Sequence, residues 1–212
     1  MTMSLNEEYV DSLYGSDADL ERVKAGLDAH GMPQISVSEG YGRLLTMLVR
    51  MSGASRLLEI GALGGYSGIC LARGLQNGGS LLSLELLKPY ADVAKRHMTD
   101  AGLGERVDYR VGDAKESLAA LVHEGCQFDF FFIDADKEGY LAYLDYALQL
   151  AVPGAVIVAD NILLRGRTTD ETKQGPAVQA VRAFNARIAT DKRLKSTVLP
   201  GYDGLAIAIV KG

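Results

Sequence analysis

The sequence predicts an α/β fold: an open, mostly parallel sheet of seven strands with helices on both faces, an antiparallel strand at its C-terminal end and a helical N-terminal extension. Three observations predict it. Short apolar runs of strand type alternate with segments of helical spacing through the chain. The first strand runs straight into a glycine turn that opens a helix, the joint expected of a βαβ unit. The last two strands are joined by only Pro200–Gly201–Tyr202–Asp203–Gly204, too short for a parallel crossover, so they pair antiparallel.

Taken in order, residues 1–54 read as helices only. Tyr9, Leu13, Leu20, Val23 and Leu27 mark one or two amphipathic helices, and Tyr41–Met51 marks another. The α/β core, residues 55–212, then places strands at Arg56–Ile60, Ser80–Leu84, Val107–Val111, Phe128–Ile133 and Ala155–Ala159. Helices alternate with them at Tyr66–Leu75, Pro89–Ala101, Ala114–Val122, Tyr140–Leu150 and Ala177–Thr190. Lys195–Leu199 and Leu205–Val210 close the chain; in the last, Leu205, Ile207 and Ile209 face one way and Ala206 and Ala208 the other. With 212 residues and no repeat or linker, the chain reads as one domain.

Composition narrows the function. At 48% hydrophobic and 23% charged residues the chain is neither disordered nor fibrous. A net charge of −5 without a basic run disfavours a protein that grips nucleic acid mainly through phosphates. No apolar stretch approaches the ~20 residues of a membrane span, and Met1–Tyr9 is polar and acidic, so a cytoplasmic protein without a leader is expected. Cys70 and Cys126 lie in apolar segments and read as buried reduced thiols, while His30, His97 and His123 have no partner motif and read as surface or helix-face residues.

The chemistry gathers at strand ends. The first strand delivers Glu59-x-Gly61-x-x-x-Gly65 into a helix, a turn that lets a ligand approach the backbone. This is not the G-x-G-x-x-G of a dinucleotide site, and an acid there repels a pyrophosphate but can meet an amino group. The expected cofactor is therefore cationic or zwitterionic. Glu85, about 20 residues on, can accept the hydroxyls of a ribose. Asp113, after the third strand, can cap the next helix, bond an adenine amino group, or both. The fourth strand stops at Asp134-Ala-Asp136-Lys137 and the fifth at Asp160-Asn161, in the crevice where such sheets bind ligands. Asp134, Asp160 and Asn161 offer oxygen donors and no thiolate or imidazole, a set for a hard divalent cation: Mg²⁺, with Mn²⁺ or Ca²⁺ as alternatives. Lys137, one helical turn past Asp134, is the candidate general base.

Together these residues resemble the cation-dependent class I O-methyltransferases, which use S-adenosylmethionine and include the catechol and caffeoyl-CoA O-methyltransferases. The resemblance runs from about Pro33 to Lys211 and rests on Leu58–Ser67, Ser83–Glu85, Gly112–Ala114, Ile133–Lys137, Ala159–Asn161 and Asp203–Gly204 in that order. It implies a Rossmann-like methyltransferase fold. It also implies that Val37, Glu59, Gly61, Gly65, Tyr66 and Ser67 lie around the methionine part of the cofactor, with Glu85 on the ribose and Asp113 and Ala114 on the adenine. Asp134, Asp160 and Asn161 would carry the metal, with Asp134 also beside the cofactor and, with Lys137 as base, in the catalytic set. The acceptor would be a vicinal dihydroxy aromatic, a phenolic small molecule, and the protein a homodimer. The chain has no tryptophan and carries Asp136 just before the lysine, so the substrate wall differs from that of the animal catechol enzyme. Gly139 stands where plant and bacterial relatives usually carry asparagine. Tyr202 is a candidate for the pocket wall. Arg165, Arg167 and Lys173, in Leu163–Lys173, read as a solvated basic loop rather than an anion guide. Two alternatives stand beside this: methylation of a hydroxylated uridine in tRNA, and a non-catalytic S-adenosylmethionine-binding protein.

Overall fold

In the computed structural model, which describes residues 4–212, strand polarity follows from what each strand must bury. Phe130 and Phe132 of β4 (Phe128–Ile133) point into one layer, and Phe131 and Ile133 into the other. A strand apolar on both faces belongs in the middle of a parallel sheet covered on both sides. β4 indeed lies between β1 (Arg56–Ile60) and β5 (Ala151–Asp160), parallel to both. The seven strands run in the order β3-β2-β1-β4-β5-β7-β6, with β2 at Ser80–Glu85, β3 at Val107–Val111, β6 at Leu194–Leu199 and β7 at Leu205–Val210. β5 pairs antiparallel with β7, and β7 with β6, as the short link requires. Ala206, Ala208 and Val210 join one layer, Leu205 and Ile207 the other, and Ile209 is exposed.

One layer carries α6 (Ala114–His123), α7 (Tyr140–Leu150) and α8 (Pro176–Thr190); the other carries α4 (Tyr66–Gly74) and α5 (Lys88–Asp100). The N-terminal segment forms α1 (Leu5–Ser12), α2 (Ala18–Ala29) and α3 (Glu39–Ser52). Val23 and Leu27 of α2 and Leu45 and Val49 of α3 are buried against the α4–α5 layer. α1 buries no residue and keeps Leu5, Tyr9 and Leu13 exposed. Met1–Met3 of the polar leading segment lie outside the described residues.

Two sequence expectations need correction. His97 is not a surface residue: it is buried, its Nδ1 lies 2.8 Å from the Gly64 carbonyl oxygen, and its ring fills the space a Cβ on Gly26 would need. It ties α5 to the glycine turn and to α2, contacts between segments too far apart in sequence to show as a motif. Cys70 is buried, but Cys126 is only half-buried, because α6 ends at His123 and leaves it in the following turn; both thiols are free. β5 also starts four residues earlier than its apolar run, through Pro153 and Gly154, where the register against β4 shifts. Among the described residues no helix is long and apolar enough to cross a membrane.

Candidate active site

The sheet order reverses between β1 and β4: after β1 the chain builds outward through β2 and β3 and returns on the other side. At such a switch point the loops diverge and leave a crevice at the carboxyl ends of the strands. A cavity of about 710 Å³ opens there. It takes residues from the β1, β2, β3, β4 and β5 ends, the segment before α3, α1 and the β6–β7 link.

The glycine turn is held by the ladder itself. Gly61 N–H donates to the Leu84 carbonyl at 2.9 Å, and Asp134 N–H to the Ile60 carbonyl at 3.0 Å. Gly61 has φ +99°, and a Cβ there would sit 2.1 Å from the Asp134 carbonyl oxygen, so only glycine fits. Gly65, with φ +87°, lets α4 start against Ala94 of α5. It packs behind the cavity rather than lining it. Glu85 lines the cavity and accepts from the backbone N–H groups of Ala62, Leu63 and Leu87, at 3.2, 2.9 and 2.9 Å. A carboxylate has about four acceptor sites, so room for a further donor remains. Asp113 caps α6, accepting from Lys115 N–H at 2.7 Å and Glu116 N–H at 3.3 Å, and it lines the cavity with Ala114.

Glu59 sits differently from expectation. It is fully buried behind the turn and does not line the cavity. Its two oxygens accept from Ser67 Oγ and Ser83 Oγ, each at 2.5 Å. Burial pushes its carboxyl up to about 7, against the pull of the two hydroxyls. Glu59 therefore orients Ser67, which does line the cavity. The strand alternation puts Glu59 on the α4 side of β1, where the nearest polar groups are these serines.

Val37, Tyr66, Ser36 and Ser38 form the facing wall. Among the described residues, four buried side-chain polar atoms have no hydrogen-bond partner, and three of them, Ser36 Oγ, Ser38 Oγ and Tyr66 Oη, belong to this wall. Ser38 is the N-cap of α3 yet makes no cap bond. Buried hydroxyls left unpaired cost about 1–3 kcal/mol each, so three together on a cavity wall mark a place where a polar ligand completes the structure.

At the β4 and β5 ends the expected oxygens converge on Lys137. Its Nζ donates to Asp134 Oδ1 at 2.9 Å, to Asn161 Oδ1 at 3.3 Å and to Tyr140 Oη at 2.5 Å. Tyr140, wholly buried, donates to the Asp160 carbonyl at 2.8 Å, which joins the lysine to the neighbouring strand. Asp160 is buried, its Oδ1 accepts from Asn161 N–H at 2.8 Å, and burial with the nearby Asp134 charge pushes its carboxyl well above the usual carboxylate range. Asp136 accepts from Tyr143 Oη, and Tyr143 reaches it by lying across Gly139, where a Cβ would meet the ring at 2.4 Å. That contact explains the glycine.

Tyr202 lines the cavity at its mouth, with its ring edge-on to Tyr41 at 4.8 Å. Its hydroxyl lies 3.1 Å from both Asp11 oxygens, and its N–H donates to Glu7, so α1 is fastened to the β6–β7 link. Arg165 and Arg167 also line the cavity, whereas Lys173 does not. The loop reading is corrected to that extent: both arginines are exposed, as expected of a basic loop, but they face the site. Among the described residues five non-glycine positions have left-handed backbone: Leu63, Asn161, Leu164, Arg165 and Tyr202. All five line this cavity, and such strain persists only where the surroundings enforce it. Sequence reading missed Glu7, Ser36, Ser38 and Tyr143 here. Only Tyr143, two helical turns beyond Asp136, left a spacing that could have shown it.

Comparison with known proteins agrees with this geometry. The O-methyltransferase family profile matches residues 12–211. A catechol O-methyltransferase of Niastella koreensis is 42% identical over 212 residues, covering 97% of this chain and 96% of its own. The O-methyltransferase from Bacillus cereus, solved with SAH, superposes with a TM-score of 0.92 at 42% identity, covering 99% of both chains. The O-methyltransferase TomG from Streptomyces achromogenes, involved in tomaymycin synthesis and solved with SAM, gives 0.89 at 36% identity, covering 97% of this chain and 96% of that one. The chain belongs to the O-methyltransferase family and is a class I S-adenosylmethionine-dependent O-methyltransferase.

Proposed function

We propose that the enzyme methylates one hydroxyl of a vicinal dihydroxy aromatic with the help of a divalent cation, and that Lys137 is its general base. The observation that carries this reading is the Lys137 ammonium lying between Asp134 Oδ1 and Asn161 Oδ1 beside the buried Asp160. Two acids and an amide oxygen gathered round a positive charge fit a hard cation, and Asp134, Asp160 and Asn161 would hold it. When bound, the ion supplies charge stabilisation that lowers the pKa of two adjacent hydroxyls and fixes their orientation. Lys137 acts as base in its neutral amine form: Nζ takes the proton of the reacting hydroxyl and becomes the ammonium, and Asp134 and Tyr140 keep that nitrogen in place. The relative named as a catechol enzyme supports the acceptor class.

For the cofactor, Glu85 is the acceptor for ribose hydroxyls, and Asp113 with Ala114 borders the adenine. The unpaired hydroxyls of Ser36, Ser38 and Tyr66, with Ser67, fit the polar methionine end. In-line methyl transfer needs no covalent nucleophile, only two reactants held in near-attack geometry, worth on the order of 7–11 kcal/mol at best. The exposed apolar face of α1, Leu5, Tyr9 and Leu13, supports a homodimer.

The test is turnover of catechol, 3,4-dihydroxybenzoate and caffeate with S-adenosylmethionine, in Mg²⁺ and again in excess EDTA. Activity that disappears in EDTA and returns with Mg²⁺ is expected. Full activity in EDTA would overturn the cation-assisted reading.

A further inference from the structure

We infer that the acceptor carries an anionic arm, a carboxylate on the aromatic ring or its side chain, and that Arg165 and Arg167 bind it. The inference rests on the proposed acceptor class and narrows it. Three cations line the cavity, Lys137, Arg165 and Arg167. Lys137 lies among Asp134, Asp136 and Asp160, whereas Arg165 and Arg167 belong to the loop four and six residues beyond Asn161, with Asp203 beside them. Six of the other eleven arginines pair with carboxylates. Among the described residues, Arg165 and Arg167 pair with none; the bond recorded for Arg167 is from Nε to the Leu164 carbonyl, at 2.9 Å.

The loop that carries them is built rather than loose. Leu164 and Arg165 hold left-handed backbone, φ 51° and 55°. Asp203 accepts the Arg165 N–H through Oδ1, and its carbonyl accepts the Leu163 N–H at 2.9 Å. On the far side the Arg182 guanidinium donates to the carbonyls of Thr168, Arg167 and Asp170, at 2.9, 3.2 and 2.6 Å. Strain of this kind endures because the neighbours over-determine it, and it holds both arginines on the cavity lining with no carboxylate partner. A guanidinium fork matches a carboxylate in shape and charge.

The experiment compares kcat/KM for 3,4-dihydroxybenzoate and caffeate with that for catechol and 4-methylcatechol. The wild type is expected to favour the carboxylates by about tenfold or more, and Arg165→Gln/Arg167→Gln to lower that ratio about tenfold, mostly through KM. Arg96→Gln, an exposed arginine on α5, is expected to keep the wild-type ratio, which separates local binding from net charge. Equal kcat/KM for charged and neutral diphenols in the wild type would overturn the inference while leaving the proposed function standing. Should no diphenol turn over, calorimetric titration of 3,4-dihydroxybenzoate into the S-adenosylhomocysteine-bound protein gives the same reading. Binding that weakens in the double variant supports the inference, and no binding, or equal binding, overturns it.

Discussion

The two ends of the cavity are built in opposite ways. The inner end stands on strand termini: parallel ladders that continue into the turns fix Gly61, Glu85 and Asp134, and the antiparallel β5–β7 ladder fixes Asp160. The mouth is gathered from positions far apart in sequence, Glu7, Arg165, Arg167 and Tyr202, on a helix with no buried residue and on links with left-handed backbone. A sheet edge repeats its geometry faithfully, so it suits chemistry that tolerates no displacement. A mouth of loops can change without disturbing the sheet, so it suits selection among acceptors.

Breaking the inner end should therefore cost most. Gly61→Ala forces a Cβ into the Asp134 carbonyl at a positive φ; the expected loss is about 3 kcal/mol, or roughly 5–10 °C in Tm by calorimetry, with cofactor affinity lost alongside. A Tm within a degree of wild type would mean that the turn is not held by that contact.

Glu59 sharpens the comparison through pH. Its folded pKa of about 7 lies above the ordinary 4.5, so the fold binds more protons than the unfolded chain between those values. Its contribution is whole below about pH 4.5 and is lost as pH rises through about 7. Glu59→Gln removes that dependence: wild-type stability, measured by urea unfolding, should fall relative to the variant by on the order of 3 kcal/mol across the window. Parallel curves would contradict the buried network.

At the mouth the effect shrinks. Tyr202→Phe removes the hydroxyl that reaches Asp11 and keeps the ring against Tyr41. The acceptor KM should rise about threefold in steady-state kinetics with about 1 kcal/mol lost in stability. A large fall in kcat would move Tyr202 into the chemistry and blur the distinction between the two ends.

This division also explains what could be read from the sequence. Strand, turn and acid arrive as contiguous runs, so Glu59–Gly61, Asp134–Lys137 and Asp160–Asn161 announced the inner end, and the period of the apolar runs announced the sheet. Even there, facing was hidden: Glu59 turned toward Ser67 and Ser83 rather than into the cavity, because strand alternation decides which side a residue serves. His97 over Gly64 and Glu7 on Tyr202 are long-range contacts without local pattern, and the unpaired Ser36, Ser38 and Tyr66 hydroxyls come from separate segments. Arg165 and Arg167 looked like any solvated loop until its backbone aimed them.

The most direct test of the account is Asp160→Ala, with S-adenosylhomocysteine affinity and diphenol turnover measured side by side in Mg²⁺. Turnover should fall about a thousandfold, the scale of several kcal/mol of charge stabilisation, while cofactor affinity stays within about threefold because Glu85, Ser67 and the glycine turn are untouched. Turnover close to wild type would contradict the assignment of the strand-end oxygens to the cation, and with it the division of the cavity into a chemical end and a selective one.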